Sequence, residues 1–331
     1  MLARLKRNLV LAVGLGVAVY LVLAVLSGFD DLRLALGDFR WSLVPAILGL
    51  VGLSYVGRYV RWTYYLRVLR IPLPARLNAV IFTAGLSMAI SPGKLGEVLK
   101  SLFVRQVSGT PVARSAPAVF AERVTDGTGM LVWGLIGALA FRFGLGVLGL
   151  FLAMLVAGIA VLRSKRLSLL AERALYRLPV LHRLAPHLGA FHGASNELLA
   201  VRPLAVGTSL SFVCWGLEIV AVYLCVLAIG AEVPFLMATF IFAVSSLAGA
   251  LSFTPGGLGV AEAGLAGMFG TLAGLAGGPA VALTLVIRLA TLWFAALLGI
   301  GGLLLVRRLI GEPAAPEEEA EVAVGSPNPE G

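Results

Sequence analysis

The chain has 331 residues, 59% hydrophobic and 13% charged, with a mean hydropathy of +0.97 and a net charge of +9. Soluble domains carry about 25% charged residues, so the composition excludes a soluble globular protein and points to an integral membrane protein. The positive balance does not point to nucleic acid, because the basic residues stand between apolar runs, where they set orientation in a bilayer.

The apolar runs are about 20 residues long and lack strand-length alternation, so the spans are expected to be helices and the fold all-α. Cys214 and Cys225 share one apolar run. On a helix they would lie roughly 16 Å apart, too far for a disulfide. His182, His187 and His192 recur at steps of five, which share no helix face. Neither a metal nor a cofactor is expected.

In chain order, Arg4, Lys6 and Arg7 precede an apolar run from Asn8 to Leu26. That run is longer than a signal-peptide core and has no Ala-x-Ala site, so an uncleaved first span is expected. A second span covers Trp41 to Leu66 and ends among Arg58, Arg61, Arg67 and Arg70. Ala116–Ala140 and Leu145–Leu162 form a third and a fourth, joined by the short sequence FRFG. Residues 163–202 then hold seven Lys or Arg against two Glu, which places them in the cytoplasm, as surface helices or as a plain loop. Leu204–Ile229 and Ala280–Val306 complete six spans. The acidic, Pro-rich residues 311–331 cannot bury a core and are expected to be disordered.

Two further apolar segments are interrupted: residues 79–105, containing SPGKLGEVLK, and residues 238–269, containing FTPGGLGVAEAGL. Ser91-Pro92-Gly93-Lys94-Leu95-Gly96 aligns with Thr254-Pro255-Gly256-Gly257-Leu258-Gly259. Glu97 follows the first break and Glu262 the second, with two extra residues before the latter. An Arg stands 26 residues beyond each Glu, at Arg123 and Arg288, and this shared pattern reads as an internal repeat. If both breaks return to the side they left, the N-terminus, residues 163–202 and Arg307–Arg308 all fall on the cytoplasmic side, as the positive-inside rule asks. Residues 1–310 are then one membrane domain of six spans and two re-entrant hairpins. Its halves, 41–142 and 204–306, are inverted repeats, the plan by which transporters build a midplane site.

A charge at the bilayer centre costs about 2.5–3.5 kcal/mol. Arg58, Glu97, Lys100, Glu122, Arg123, Asp126, Glu218, Glu262 and Arg288 all stand at apparent membrane depth, so they must face one another or a watery cavity. Glu97 and Lys100, three apart, and Glu122 and Asp126, four apart, share helix faces. The latter two are like charges, so one of them can hold a proton. Arg61 sits near the cytoplasmic end, where snorkelling is the favoured expectation. Glu218 is open to two roles, lining a cavity or pairing with an Arg. Gly14, Gly134 and Gly299 are expected at helix contacts. Half-helices beginning near Lys94 and Leu258 would aim amide-rich ends at an anion.

Pro92, Gly93, Lys94, Glu97, Lys100, Arg123, Pro255, Gly256, Gly257, Glu262 and Arg288 are therefore the expected binders of an anionic, phosphate-bearing headgroup. Glu122, Asp126, Arg58 and Glu218 are expected to line the cavity or exchange protons. Because Lys94 is replaced by Gly257 in the second copy, the fixed positive charge comes mainly from the first hairpin.

At SPGKLGEVLK, AERVTDG and FTPGGLGVAEAGL the chain resembles the transmembrane domain of the lysylphosphatidylglycerol synthase family, described as flippase-like, over about residues 8–308. The resemblance implies lipid translocation in a bacterial inner membrane; the aminoacyl-transferring domain of the best-known members has no counterpart here. It also allows a polyprenyl-linked lipid in place of a phospholipid, and carries site roles to Lys94, Glu97, Glu122, Arg123, Asp126 and Glu262. A transporter with no catalytic residue is thus the first expectation, with no P-loop for ATP in the sequence. The alternatives are a membrane-embedded glycosyl or acyl transferase using Glu122 or Asp126 as base, and a scaffold for a separate synthase. Partners are an anionic membrane lipid, a separate lipid-modifying enzyme and a second copy of the chain.

The topology has a direct test in a variant without other cysteines. An impermeant thiol reagent is expected to reach Leu272→Cys in intact cells, and Lys165→Cys only after permeabilisation. Labelling of position 165 from outside would mean that the first break crosses the membrane.

Overall fold

A computed structural model of the protein describes residues 2–90, 95–141, 144–166, 169–170, 185–275 and 277–311. Every element among them is helical. The chain opens with α1 (Leu2–Ser27), α2 (Phe29–Gly37) and α3 (Val44–Val68). It continues with α4 (Ala75–Leu86), α5 (Leu99–Ser108), α6 (Val112–Phe141) and α7 (Leu145–Arg163). After α8 (Ala185–Leu198) come α9 (Val201–Ala228), α10 (Phe235–Leu251) and α11 (Val260–Thr271). α12 (Gly278–Arg288) passes through a π-helical turn, Leu289–Trp293, directly into α13 (Phe294–Ile310).

Four stretches are long and apolar enough to cross a membrane: Trp41–Val68, Leu145–Arg163, Val201–Ala228 and Gly278–Ile310. The pair Val13–Ser27 and Phe29–Gly37, bent by 99°, is a fifth if counted as one span. The other expected span, α6, is 30 residues long and carries Glu122, Arg123 and Asp126.

Both interrupted segments are broken helices, and their punctuation is similar. α4 follows Pro74 and α10 follows Pro234, residues that favour an extended chain before a helix and cannot continue one behind them. α4 ends in a 3-10 turn, Ser87–Ile90, and the chain resumes in another, Leu95–Val98, that leads into α5. Ser91 to Lys94, with the expected Pro92–Gly93 break, lie outside the described residues.

The second break is fully described. Gly256, Gly257 and Gly259 have φ of 62°, 71° and 87°, the left-handed region where glycine is unstrained. A Cβ on Gly257 would also come within 3.1 Å of the Gly249 backbone, so this crossing needs glycine twice over. Beyond it, Ala261 faces Gly249 and Ser245 faces Gly264, so α11 folds back antiparallel along α10.

The long helices cross at small residues. α3 and α9 pack antiparallel, with Gly57 against Cys214 and Gly207 against Tyr65. α10 lies on α6 with Ala243 at Gly134 and Phe240 at Gly137. α4 lies on α13 with Ser87 at Gly299 and the Thr83–Ala84 peptide at Gly302. Gly134 and Gly137 stand 37 and 40 residues after Glu97, and Gly299 and Gly302 stand 37 and 40 after Glu262. Each hairpin thus seats its first limb in the glycine notch of the span that follows the other hairpin. Gly14, by contrast, has no atom near enough to count as a packing contact, against expectation.

The notch can be tested with two adjacent residues. A Cβ at Gly302 would meet the α4 backbone at 2.6 Å, whereas one at Gly301 meets nothing within 4 Å. Gly302→Leu should cost about 1–3 kcal/mol or prevent folding, and Gly301→Leu should leave the melting temperature of the detergent-solubilised protein unchanged. Equal effects would contradict the packing.

Candidate functional site

The buried charges converge where α3, α6 and α9 meet the first hairpin. Arg58 and Arg61, one turn apart on α3, face Asp126 on α6 and Glu218 on α9. Arg61 donates from Nη1 to Asp126 Oδ1 at 2.7 Å and also reaches Ser211 and Thr125. Arg58 reaches Glu218 at 2.8 Å and Asp126 at 3.3 Å. Its guanidinium lies 4.4 Å from the centre of the Trp215 ring. Ser54 donates to the same Glu218 oxygen at 2.8 Å. Asp126 takes a third cation, Arg123, at 3.4 Å, so three guanidinium groups share one carboxylate.

The first hairpin brings the next two charges. Lys100 is 3% exposed, with its ammonium 2.5 Å from Glu122 and 4.3 Å from the centre of the Trp62 ring. Its aliphatic stem crosses Gly85 on α4, where a Cβ would lie 2.6 Å from it. Glu97 accepts from Arg123 at 3.0 Å and lies 3.9 Å from Lys100. The i,i+3 partner expected for Lys100 is therefore the more distant one. Glu122 and Asp126 each have their own cations, Lys100 for the first and Arg58, Arg61 and Arg123 for the second.

The second hairpin repeats the Glu–Arg pair but closes it. Arg288 Nε donates to Glu262 Oε1 at 2.5 Å, and Nη2 donates to the Gly256 carbonyl at 2.7 Å. The other oxygen of Glu262 accepts the Gly259 N–H at 2.7 Å. The N-terminus of α11 is thus capped by its own carboxylate, and the anion expected at that end finds it occupied. The side chain of Glu262 is fully buried and that of Arg288 is 12% exposed, against 30% for Arg123. The two pairs match in spacing and differ in access.

A cavity of about 460 Å³ runs along these charges. Arg58, Arg61, Lys100, Arg123 and Arg288 line it, with Glu97, Glu122, Asp126 and Glu218. The counter-ion of Arg288, Glu262, stands behind the wall. Gly256 and Gly257 line it, and Pro255 does not. Pro92, Gly93 and Lys94 lie outside the described residues. Among the described residues, four buried N–H groups of residues that line it have no partner: Nε and Nη2 of Arg61, Nε of Arg123 and Nε1 of Trp215. No group of three or more His, Cys, Asp or Glu suited to a metal occurs among the described residues.

The lysylphosphatidylglycerol synthase TM region family matches residues 11–299, most of the chain and all of the elements that build this cavity. The chain belongs to that family. Two UPF0104 membrane proteins of Methanothermobacter thermautotrophicus are similar to it. One is 27% identical over 304 residues, covering 85% of this chain and 89% of its own length. The other is 24% identical over 324 residues, covering 89% and 92%. No solved structure matches. A membrane protein of the lysylphosphatidylglycerol synthase TM family thus lines one cavity with every charge expected at membrane depth except Glu262, and with Arg61.

The structure corrects one expectation and settles another. Arg61 does not snorkel: it is 1% exposed and bonded within the bundle. The signal was present, because Ser54, Arg58, Arg61 and Tyr65 recur at helical spacing on one face of α3. Glu218 both lines the cavity and pairs with Arg58. Tyr55 went unnoticed in the sequence; its hydroxyl donates to the Thr291 carbonyl at 2.6 Å, inside the π-helical turn that follows Arg288. Such turns free backbone groups and recur at functional sites.

Removing one partner of a buried pair leaves an uncompensated charge, at a cost of about 3–5 kcal/mol. Lys100→Met should destabilise the solubilised protein by that order, and Glu122→Gln added to it should recover most of the loss. A double variant no more stable than Lys100→Met would contradict the pairing.

Proposed function

We propose that the protein moves an anionic, phosphate-bearing lipid across a membrane, with the headgroup held at Arg123, Arg61 and Trp215. One observation carries this: among the described residues, the unpartnered buried polar atoms of the residues that line the cavity are all N–H donors. A buried donor without a partner costs about 1–3 kcal/mol, and the ligand that relieves several at once is rich in acceptors and poor in donors. Phosphate oxygens meet that description, and arginine forks suit their geometry. The family's membership in lipid metabolism, carried by its name, agrees.

An inverted arrangement of the two hairpins, as the repeated motif suggests, would support movement rather than storage. With the termini in the cytoplasm of a bacterial cell, the first hairpin would enter from that side and the second from the other. Alternating exposure of such a midplane site is the known use of this plan. A transferase is less well supported, because each carboxylate on the cavity is engaged by Arg or Lys and none stands ready as a base.

The roles of the two arginines then separate. Arg123, more open and with Nε unpartnered, meets the headgroup, whereas Arg288 fastens the second hairpin to its span. A hydrogen bond to a charged group is worth about 1.5–3 kcal/mol. In proteoliposomes holding a headgroup-labelled anionic phospholipid, Arg123→Ala should slow translocation about ten- to hundredfold and lower the melting temperature less than Arg288→Ala does, because Arg123 is the more exposed and Lys100 remains near Glu97. Arg288→Ala should lower the melting temperature itself. Wild-type rates in Arg123→Ala would remove the proposed headgroup site.

A further inference from the structure

The cavity has a second wall that the charges do not explain. α7 contains no polar or charged residue from Leu145 to Leu162. Over its whole length only Leu148 is a buried residue. Phe151, Leu155, Gly158 and Leu162 fall at intervals of four, three and four, a single helical stripe, and all line the cavity. Leu247 and Leu251 of α10 line it from the other side.

These two helices face the same space without closing it. The main packing partners of α7 are α6 and α8, and no extensive contact joins α7 to α10. They meet at one end, where Phe240 covers Gly144, and Leu148 and Ala243 both sit on Gly134 of α6. α6 runs antiparallel to both, so α7 and α10 run side by side in one direction away from that end. A slot therefore opens between them, walled by hydrocarbon and leading from the arginines to the outer, apolar face of the bundle.

We infer that this slot holds the hydrocarbon chain of the lipid, which stays in the bilayer while the phosphate occupies the cavity. The inference rests on the proposed phosphate-bearing ligand and narrows it. A free phosphate or a soluble phosphorylated metabolite would use the arginines and leave the slot empty, whereas an amphiphile fills both. Continuity between the charged floor and the apolar slot in one cavity favours the amphiphile. The slot also spares the chain a passage through the ion pairs, where hydrocarbon would strip charges of their partners.

Gly158 sets the free width of the slot. A Cβ there meets no atom within 4 Å, so a side chain can begin at this position without a clash and would project into the chain's place. Gly149, on the same helix, is equally open but does not line the cavity, and serves as the control.

The test uses an anionic phospholipid with a photoactivatable group in mid-chain. Cross-links are expected on the 151–162 stripe of α7 and on Leu247 or Leu251. Gly158→Trp should lose them and translocate the lipid at least about tenfold more slowly, the equivalent of ~1.4 kcal/mol. Its melting temperature should be kept, and Gly149→Trp should match the wild type. Full translocation by Gly158→Trp, or cross-links confined to other helices, would overturn the slot. Cross-links on α7 in a wild-type protein that moves no lipid would uphold the slot and sink the transport proposal instead.

Discussion

A charged side chain inside an apolar bundle must find its counter-ion there, because water is not available to do the work. Asp126 is where that constraint is most concentrated. It draws Arg58 and Arg61 from α3 and Arg123 from its own helix. Through Arg58 it is joined to Glu218 on α9, and through Arg123 to Glu97 at the first hairpin. Three helices and a hairpin are positioned by a chain of pairs that begins at one carboxylate. The glycine notches then decide how closely the remaining helices approach.

The near-equivalence of the two hairpins gives this network its direction. In each, a Glu just beyond the break meets an Arg 26 residues later. In the second, the carboxylate also caps its helix and the guanidinium also holds a break carbonyl, so the pair acts as a clasp. In the first, Arg123 Nε has no partner among the described residues, and the pair opens on the cavity. The two copies of the motif thus divide by access, Arg123 being 30% exposed and Arg288 12%. The same division appears in composition, since Lys100 has no basic counterpart near Glu262: the residue three after Glu262 is Leu265, packed in the core.

Much of this was legible in the sequence, for physical reasons. Membrane burial makes ionisable residues conspicuous, and the equal Glu-to-Arg spacing at Glu97–Arg123 and Glu262–Arg288, read as a repeat, marked the residues that form both ion pairs. Proline and glycine mark helix breaks through their own backbone geometry, and the second break shows it in the positive φ of Gly256, Gly257 and Gly259. Partner choice across helices was not legible, because it depends on rotation and depth. Lys100 meets Glu122 on another helix rather than Glu97 on its own, and Arg61 turns inward rather than toward the surface. The slot beside α7 was hidden for a further reason. A helix that is apolar all round gives no periodic signal to show which stripe faces lipid and which faces a cavity.

An amphipathic cavity with arginines at its floor and a hydrocarbon slot at its side predicts where a bound lipid must lie. The most direct measurement is an experimental structure of the protein in a lipid nanodisc containing an anionic phospholipid. The account predicts a phosphate within hydrogen-bonding distance of Arg123 and Arg61, with its chain between α7 and α10. A phosphate resting on Arg288 instead, with Arg123 bonded only to Glu97 and Asp126, would contradict it.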